Sequence, residues 1–434
     1  MRILGGDRLH FLFSKQYVRL LIFDSSIDSD RSRLFYLVML EETEARRRIL
    51  EFASPGAVIW VPLELSLDQV LAQEISSGID SPLFDNSSMD GYAVKAAEAA
   101  TGAKLSVSEI PQAAGGDLGL VLGAGEAIRI FTGAVIPEGA DAVIMQEDVE
   151  RVGETITILE GVELGENIRR RGSDVCTGQK LLRRGDLLTP ARIGLLASQG
   201  IPEVPIHGKP LVQIVTTGDE LVEPGAPLFP GEIYNSNGPM LLTAVARAGA
   251  IAAASHACDD PDELREVFTR ALAASDIVVI AGGVSVGDRD FVKEVLTDLG
   301  VVTEFWKVKV KPGKPCLFGR HPDGTLVFGL PGNPVSAYVT FSLFVAPVIR
   351  RLLGHSVDVD SVGLGKVTGK ASEKISNSGD RPHYLRAIHD EGRIELSGTQ
   401  QSHAIFGLSR ANCLVRLEPE TTVEAGDALT AYLI

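Results

Sequence analysis

The feature that most constrains this chain is an alternation beginning at Pro210. LVQIVTT reads as a strand, PMLLTAVARAGA as a helix and IAAASHA as a strand. DELREVFTRALAAS then reads as a helix, DIVVI as a strand, DFVKEVLTDLG as a helix and TEFWKVKV as a strand. Short apolar runs separated by amphipathic segments of about 10–15 residues predict βαβ units, a parallel sheet and right-handed crossovers. A hairpin around HPDGT and a long helix, VSAYVTFSLFVAPVIRRLLG, complete this region.

The text on either side differs. Residues 39–83 read as two helices, ETEARRRILEF and SLDQVLAQEIS, and residues 84–175 as short β-rich pieces between Gly, Pro and Asp turns. ARIGLLASQG reads as a helix closing on Gly200, and the text after Gly354 returns to strands and turns, predicting a C-terminal β-barrel or sandwich. With 434 residues, more than one core organises, the fold class is multidomain α/β plus β. Residues 1–38 mix Arg and Lys into apolar runs too short to span a bilayer and lack the layout of a secretory signal. They are read as a poorly ordered extension from an upstream start codon, with the folded chain beginning at Met39.

Composition narrows the function. A formal charge of −16 excludes nucleic-acid or acidic-membrane binding through the overall field, though a local basic patch still suits a small anion. Cys176, Cys258, Cys316 and Cys413 lie far apart without zinc-ligand spacing, and are read as buried thiols of a cytoplasmic protein.

In an open α/β sheet, ligands bind at the carboxyl ends of the strands. TTGDEL (216–221), CDDPDE (258–263) and GGVSVGDRDF (282–291) all fall there. Gly282 and Gly283 leave room for a ligand beside the backbone, Ser285 offers a hydroxyl, and the helix opening at Asp290 presents free N–H groups. Taken alone, the last loop reads equally well as a tight turn whose Asp288 and Asp290 cap a helix. Three acidic or hydroxyl-rich strand ends in one sheet favour a phosphate site at which carboxylates hold Mg²⁺.

In WKVKVKPGKP (306–315), Lys307, Lys309 and Lys311 alternate with valines, so one strand face carries three ammonium groups, and the following bend adds Lys314. A lysine run often marks a solvated strand face, but like charges this close are destabilising unless an anion joins them, so phosphate or an oxyanion is the favoured guest. GLPGNPVSA (329–337) places Pro331 and Pro334 as a rigid wall and Ser336 at a helix start, although a plain strand–turn–helix joint explains it equally. DNSSMDGYAV (85–94) gathers Asp90 with other polar side chains. ENIRRRGSDV (166–175) sets three arginines before Asp174, either as an anion site or as an exposed charged loop. RPHYLRA (381–387) reads as solvated surface.

Together with FTGAVIPEGADAVIMQED, these motifs resemble, in order and from about residue 39 to the end, the molybdopterin molybdenumtransferases, relatives of gephyrin's C-terminal region. The resemblance implies a split helical linker (39–83 and 176–208), a β domain (84–175), an α/β molybdopterin-binding domain (209–354) and a C-terminal β-barrel (355–434). It implies a homodimer with an active site shared across subunits, and transient contact with other enzymes of molybdenum cofactor synthesis. The implied substrates are adenylyl-molybdopterin and molybdate, with Mg²⁺ as cofactor and AMP released when molybdate oxygen or water attacks phosphorus.

Carried over residue by residue, Asp90, Thr132, Asp174, Glu220, Asp259, Asp290, Lys307, Lys311, Pro331 and Pro334 match functionally important family positions. Glu220, Asp259 and Asp290 would serve metal and phosphate, with Asp260 competing for the second place. Lys307 and Lys311, beside Lys314, would hold phosphate or molybdate, and Gly282, Gly283, Ser285 and Ser336 would line the phosphate site. Asp90 and Thr132 would complete the site from the other subunit. A tungsten-specific homologue, a non-catalytic scaffold of the same fold and the adenylyltransferase of the preceding step are the competing readings.

Overall fold

A computed structural model describes residues 39–284, 291–359 and 364–434. The expected extension, Ser285, Asp288 and Asp290 therefore lie outside the described residues.

Seven strands form the largest sheet, in the order Leu40–Glu41, Val302–Lys309, Pro315–Arg320, Leu326–Leu330, Ile277–Ala281, Leu211–Thr217 and Ile251–Ala257. The last four are mutually parallel: three come from the alternation, and Leu326–Leu330 is the second strand of the hairpin around HPDGT, which separates the alternation's fourth strand from them. Residues alternate across the pleat, so Val212, Ile214, Ile277, Val279, Leu326 and Phe328 join one core, while Val215, Val278, Ile280 and Val327 join another. That two-sided burial explains why these strands read as unbroken apolar runs. Helices Asn237–Arg247 and Glu42–Glu51 cover the first face, and Pro261–Ala274 and Val292–Asp298 the second. The helix Pro334–Leu352 is long and apolar enough to cross a membrane, yet 78% of its apolar window is buried in the protein, the setting of a core helix.

Two features depart from the sequence reading. SLDQVLAQEIS is not a helix, because its backbone is bonded to distant chain. Asp68, Leu71 and Ala72 donate their N–H groups to the carbonyls of Leu188, Asp186 and Pro205, and Asp68 has a φ of 60°. Long-range pairing overrides the local 3.6-residue pattern. The first helix, grouped above with the linker, packs instead on the large sheet: Leu40–Glu41 pairs with Val308 and Lys309, and Ala45 and Ile49 enter its core.

The β region holds a six-stranded sheet ordered Ala142–Met145, Gly91–Val94, Glu126–Ile130, Lys104–Val107, Thr155–Ile158 and Val149–Val152. Gly91 is required there, since a Cβ would lie 1.9 Å from the Ile144 carbonyl oxygen. At the C-terminus, Lys366–Ala371, Arg393–Leu396, His383–Asp390, Cys413–Leu417 and Ala428–Leu433 close a five-stranded barrel. It docks on the large domain, with Tyr384, Leu408 and Leu414 buried in the same core as Val212 and Phe328.

Candidate active site

Parallel pairing brings the ends of Leu211–Thr217, Ile251–Ala257, Ile277–Ala281 and Leu326–Leu330 to one edge. Two antiparallel steps return Val302–Lys309 to the same direction, so its carboxyl end and the lysines after it face that edge as well.

The strand ends touch one another. The Asp259 N–H donates to Asp219 Oδ1 at 2.9 Å, which ties the second acidic loop to the first. The Glu220 carboxylate folds back over Gly218, with Oε2 2.7 Å from the point a Cβ would occupy. The pair Asp259 and Asp260 divides its work: Asp260 Oδ1 caps the helix Pro261–Ala274, accepting from the N–H groups of Asp262 and Glu263 at 3.1 and 2.9 Å. Such a cap is worth about 1 kcal/mol. The negative character of this corner registers on Cys258, whose thiol is pushed up by burial, then by Glu263, Asp219 and Asp259.

Gly282 has a φ of 113°, and a Cβ on it would lie 2.6 Å from the Thr217 carbonyl oxygen and 2.8 Å from Thr217 Oγ1. The double glycine therefore lets the loop lie against the first strand end. Pro331 and Pro334 flank Gly332, whose carbonyl accepts from Asn237 Nδ2 at 2.7 Å. Ser336 is buried at the helix start, where the Val335 N–H is taken by the Ser402 carbonyl of the barrel.

Two residues at this edge escaped the sequence reading. Thr217 Oγ1 and Asn237 Oδ1 are buried without a hydrogen-bond partner among the described residues. Buried polar atoms are normally paired, so both stand out at this edge. Thr217 had a signal, being the second threonine of TTGDEL; Asn237 had none, because only folding brings it to Gly332.

The lysines separate. Lys309 Nζ is 2.5 Å from Glu41 Oε1, so the first strand of the sheet removes it from the expected three-ammonium face. Lys307 stays in the strand Val302–Lys309 and Lys311 lies in the basic turn just beyond it, where the Lys314 carbonyl accepts from the Val308 N–H at 3.2 Å. RPHYLRA is not solvated surface: His383, Tyr384 and Arg386 are buried, because this strand is the wall on which barrel and sheet meet. Burial, with Lys311, Arg386 and Arg381 nearby, pushes the His383 imidazole down to about 4. Neutral histidine is thus the form that tolerates a cluster of three cations.

Asp90 and Thr132 meet on the separate β sheet, and the Asp174 N–H donates to the Ser81 carbonyl at 2.9 Å. Arg170 and Arg171 pair with Asp85 and Asp80, each at 2.6 Å, which favours the exposed charged loop over an anion site. Of the four cysteines, all free, only Cys316 and Cys413 are buried as expected; Cys176 is exposed and Cys258 intermediate.

The fold and this edge define a class of multidomain α/β protein that sets carboxylates, a glycine loop and a basic turn along one sheet margin. The chain matches the profiles of the MoeA N-terminal region over residues 40–200, a probable molybdopterin-binding domain over 213–351 and the MoeA C-terminal region over 368–434. It is 38% identical to a molybdopterin molybdenumtransferase of Haemophilus influenzae, over 90% of this chain and 98% of that one. The Bacillus subtilis molybdopterin molybdenumtransferase is 34% identical over 90% and 93%. A molybdopterin biosynthesis MoeA protein from Pyrococcus horikoshii superposes with a TM-score of 0.79 at 31% identity, over 91% of this chain and 99% of that structure. This chain belongs to the molybdopterin molybdenumtransferase family.

Proposed function

We propose that the chain inserts molybdenum into adenylylated molybdopterin, releasing AMP and forming molybdenum cofactor. The observation that carries this reading is a single sheet edge bearing the acidic loops of Glu220 and Asp259, which meet through Asp219, the Gly282–Gly283 loop and the lysines at the end of Val302–Lys309. A nucleotide-linked pterin phosphate and a tetrahedral dianion both need cationic partners, while a bridging metal needs carboxylates. Few other substrates call for both along one margin.

Glu220 and Asp259 supply hard oxygen donors, the chemistry Mg²⁺ favours, with Asp290 as the third carboxylate of the set. Among the described residues no group of three or more His, Cys, Asp or Glu side chains is placed to hold a metal ion. Mg²⁺ needs few protein ligands, since it keeps water and substrate phosphate in its shell. When bound, the ion would neutralise phosphate charge. Gly282, Gly283 and Ser285 admit the phosphate to the backbone, and Pro331, Pro334 and Ser336 wall its far side. Lys307, Lys311 and Lys314 hold phosphate or molybdate, joined by Arg381.

Asp90 and Thr132, on a different sheet, complete the cleft from a second copy of the chain, and Asp174 supports them from the same β region. Buried free thiols at Cys316 and Cys413 support a reducing, cytoplasmic setting. The test is to incubate purified protein with adenylyl-molybdopterin, Mg²⁺ and molybdate and to measure AMP. Molybdate-dependent release is expected, and Asp259→Asn is expected to suppress it. No release from folded, dimeric protein would refute the reading.

A further inference from the structure

Glu42 opens the first helix and is only 1% exposed. A carboxylate this deep is costly unless fully paired. Its Oε1 accepts from Arg46 Nη1 and from the Tyr384 hydroxyl, the latter at 2.5 Å, and its Oε2 from Arg416 Nε at 3.3 Å. Glu42 and Arg46 ride on the helix packed against the large sheet, while Tyr384 and Arg416 belong to the barrel. The Tyr384 phenol is held well above its ordinary value, by burial first and then by the Glu42 charge, so it remains a donor. One buried carboxylate thus ties two domains together.

The same tyrosine reaches the basic turn through its backbone. Its N–H donates to the Lys311 carbonyl at 2.7 Å, and the Lys311 N–H donates to the Pro382 carbonyl at 2.9 Å. Lys311 is therefore pinned by the barrel on both sides of its peptide. Arg381 reaches across as well, with Nη1 3.4 Å from the Val310 carbonyl. Arg381 Nε also donates to Asp380 Oδ1 at 3.2 Å, so the barrel wall sets where its guanidinium stands relative to the Lys311 backbone.

We infer that the Glu42 carboxylate, acting through the Tyr384 hydroxyl, is a positioning device that holds Lys311 beside Arg381 for capture of the oxyanion. The inference rests on the reading of Lys311 as an oxyanion-binding residue. Nothing in the clamp touches substrate; it acts by fixing the wall that carries the cations.

The test uses the full chain. Tyr384→Phe removes one hydroxyl and keeps the ring, and Glu42→Gln keeps an acceptor while removing the charge. Molybdate binding is measured by calorimetry, and KM is measured separately for molybdate and for adenylyl-molybdopterin in the AMP-release assay. Tyr384→Phe is expected to raise Kd and KM for molybdate about tenfold, the size of one lost charge-assisted hydrogen bond. KM for the pterin substrate is expected to change less than twofold. A purely structural role would move both KM values together or lower only the melting temperature, and either result overturns the clamp. If one variant fails to fold, the other decides. Weakened molybdate binding in Lys311→Ala with unaltered binding in folded Tyr384→Phe overturns the clamp alone. Unaltered binding in Lys311→Ala overturns the oxyanion reading and the clamp with it.

Discussion

The Asp90 carboxylate accepts two hydrogen bonds from Thr132 on the same oxygen, from the backbone N–H at 2.7 Å and from the hydroxyl at 2.8 Å. The two residues stand 42 positions apart, yet the pairing of Gly91–Val94 with Glu126–Ile130 brings them together. These bonds lower the carboxyl's pKa, the backbone N–H contributing first, so Asp90 is ionised throughout the neutral range. Asp90→Asn keeps the shape and removes the charge. AMP release is expected to fall about 10²-fold, the cost of disordering a positioned group, with the melting temperature unchanged because the side chain is exposed. Steady-state kinetics beside a thermal melt checks both halves.

Gly282→Ala places a methyl 2.6 Å from the Thr217 carbonyl oxygen at a φ of 113°. Neither backbone has a flexible end with which to give way. Strain of this kind costs about 1–3 kcal/mol, and urea denaturation should register at least that loss. Gly119→Ala is the control for the conformational term alone, since Gly119 also has a positive φ but open space around it.

Lys311 and Lys309 are two residues apart and should behave oppositely. Lys309 is committed to Glu41, so Lys309→Ala should leave KM for molybdate within about twofold, because an exposed ion pair carries little energy. Lys311→Ala should raise it about tenfold or more, a loss that added salt cannot restore. Equal effects would show that the lysines act as one diffuse positive face.

His383 gives a pH dependence with a definite sign. Its pKa is depressed to about 4 by burial and the neighbouring cations, against about 6.5 in the unfolded chain. Between those values the unfolded state holds a proton that the folded state lacks, so stability rises with pH. The contribution is fully present above about 6.5 and is lost as pH falls towards 4, with a slope of at most about 1.4 kcal/mol per pH unit. Denaturant titrations of the wild type and His383→Gln should differ in slope across that window and run parallel above pH 7.

The strand ends were legible because each is a local signal. An apolar run followed by TTGDEL, CDDPDE or Gly282–Gly283 announces a buried strand turning into a polar loop, and parallel topology places such loops on one edge. RPHYLRA was misread because basic composition normally marks surface, whereas this strand lies between two domains, which nothing local to it encodes. SLDQVLAQEIS was misread for a related reason, since Asp186, Leu188 and Pro205 capture its backbone from more than a hundred residues away.

By itself, then, the sequence determined the alternating α/β domain, the β character of the flanking regions and the chemical types gathered at the strand ends. Those follow from periodicity and from the φ and hydrogen-bonding preferences of individual residues. The tertiary structure alone decided which charges pair: Lys309 with Glu41, and Glu42 with Tyr384 and Arg416. Pairing between residues remote in sequence depends on distance in space, since the attraction weakens with separation and is screened over about 10 Å, and that distance carries no trace in the spacing along the chain.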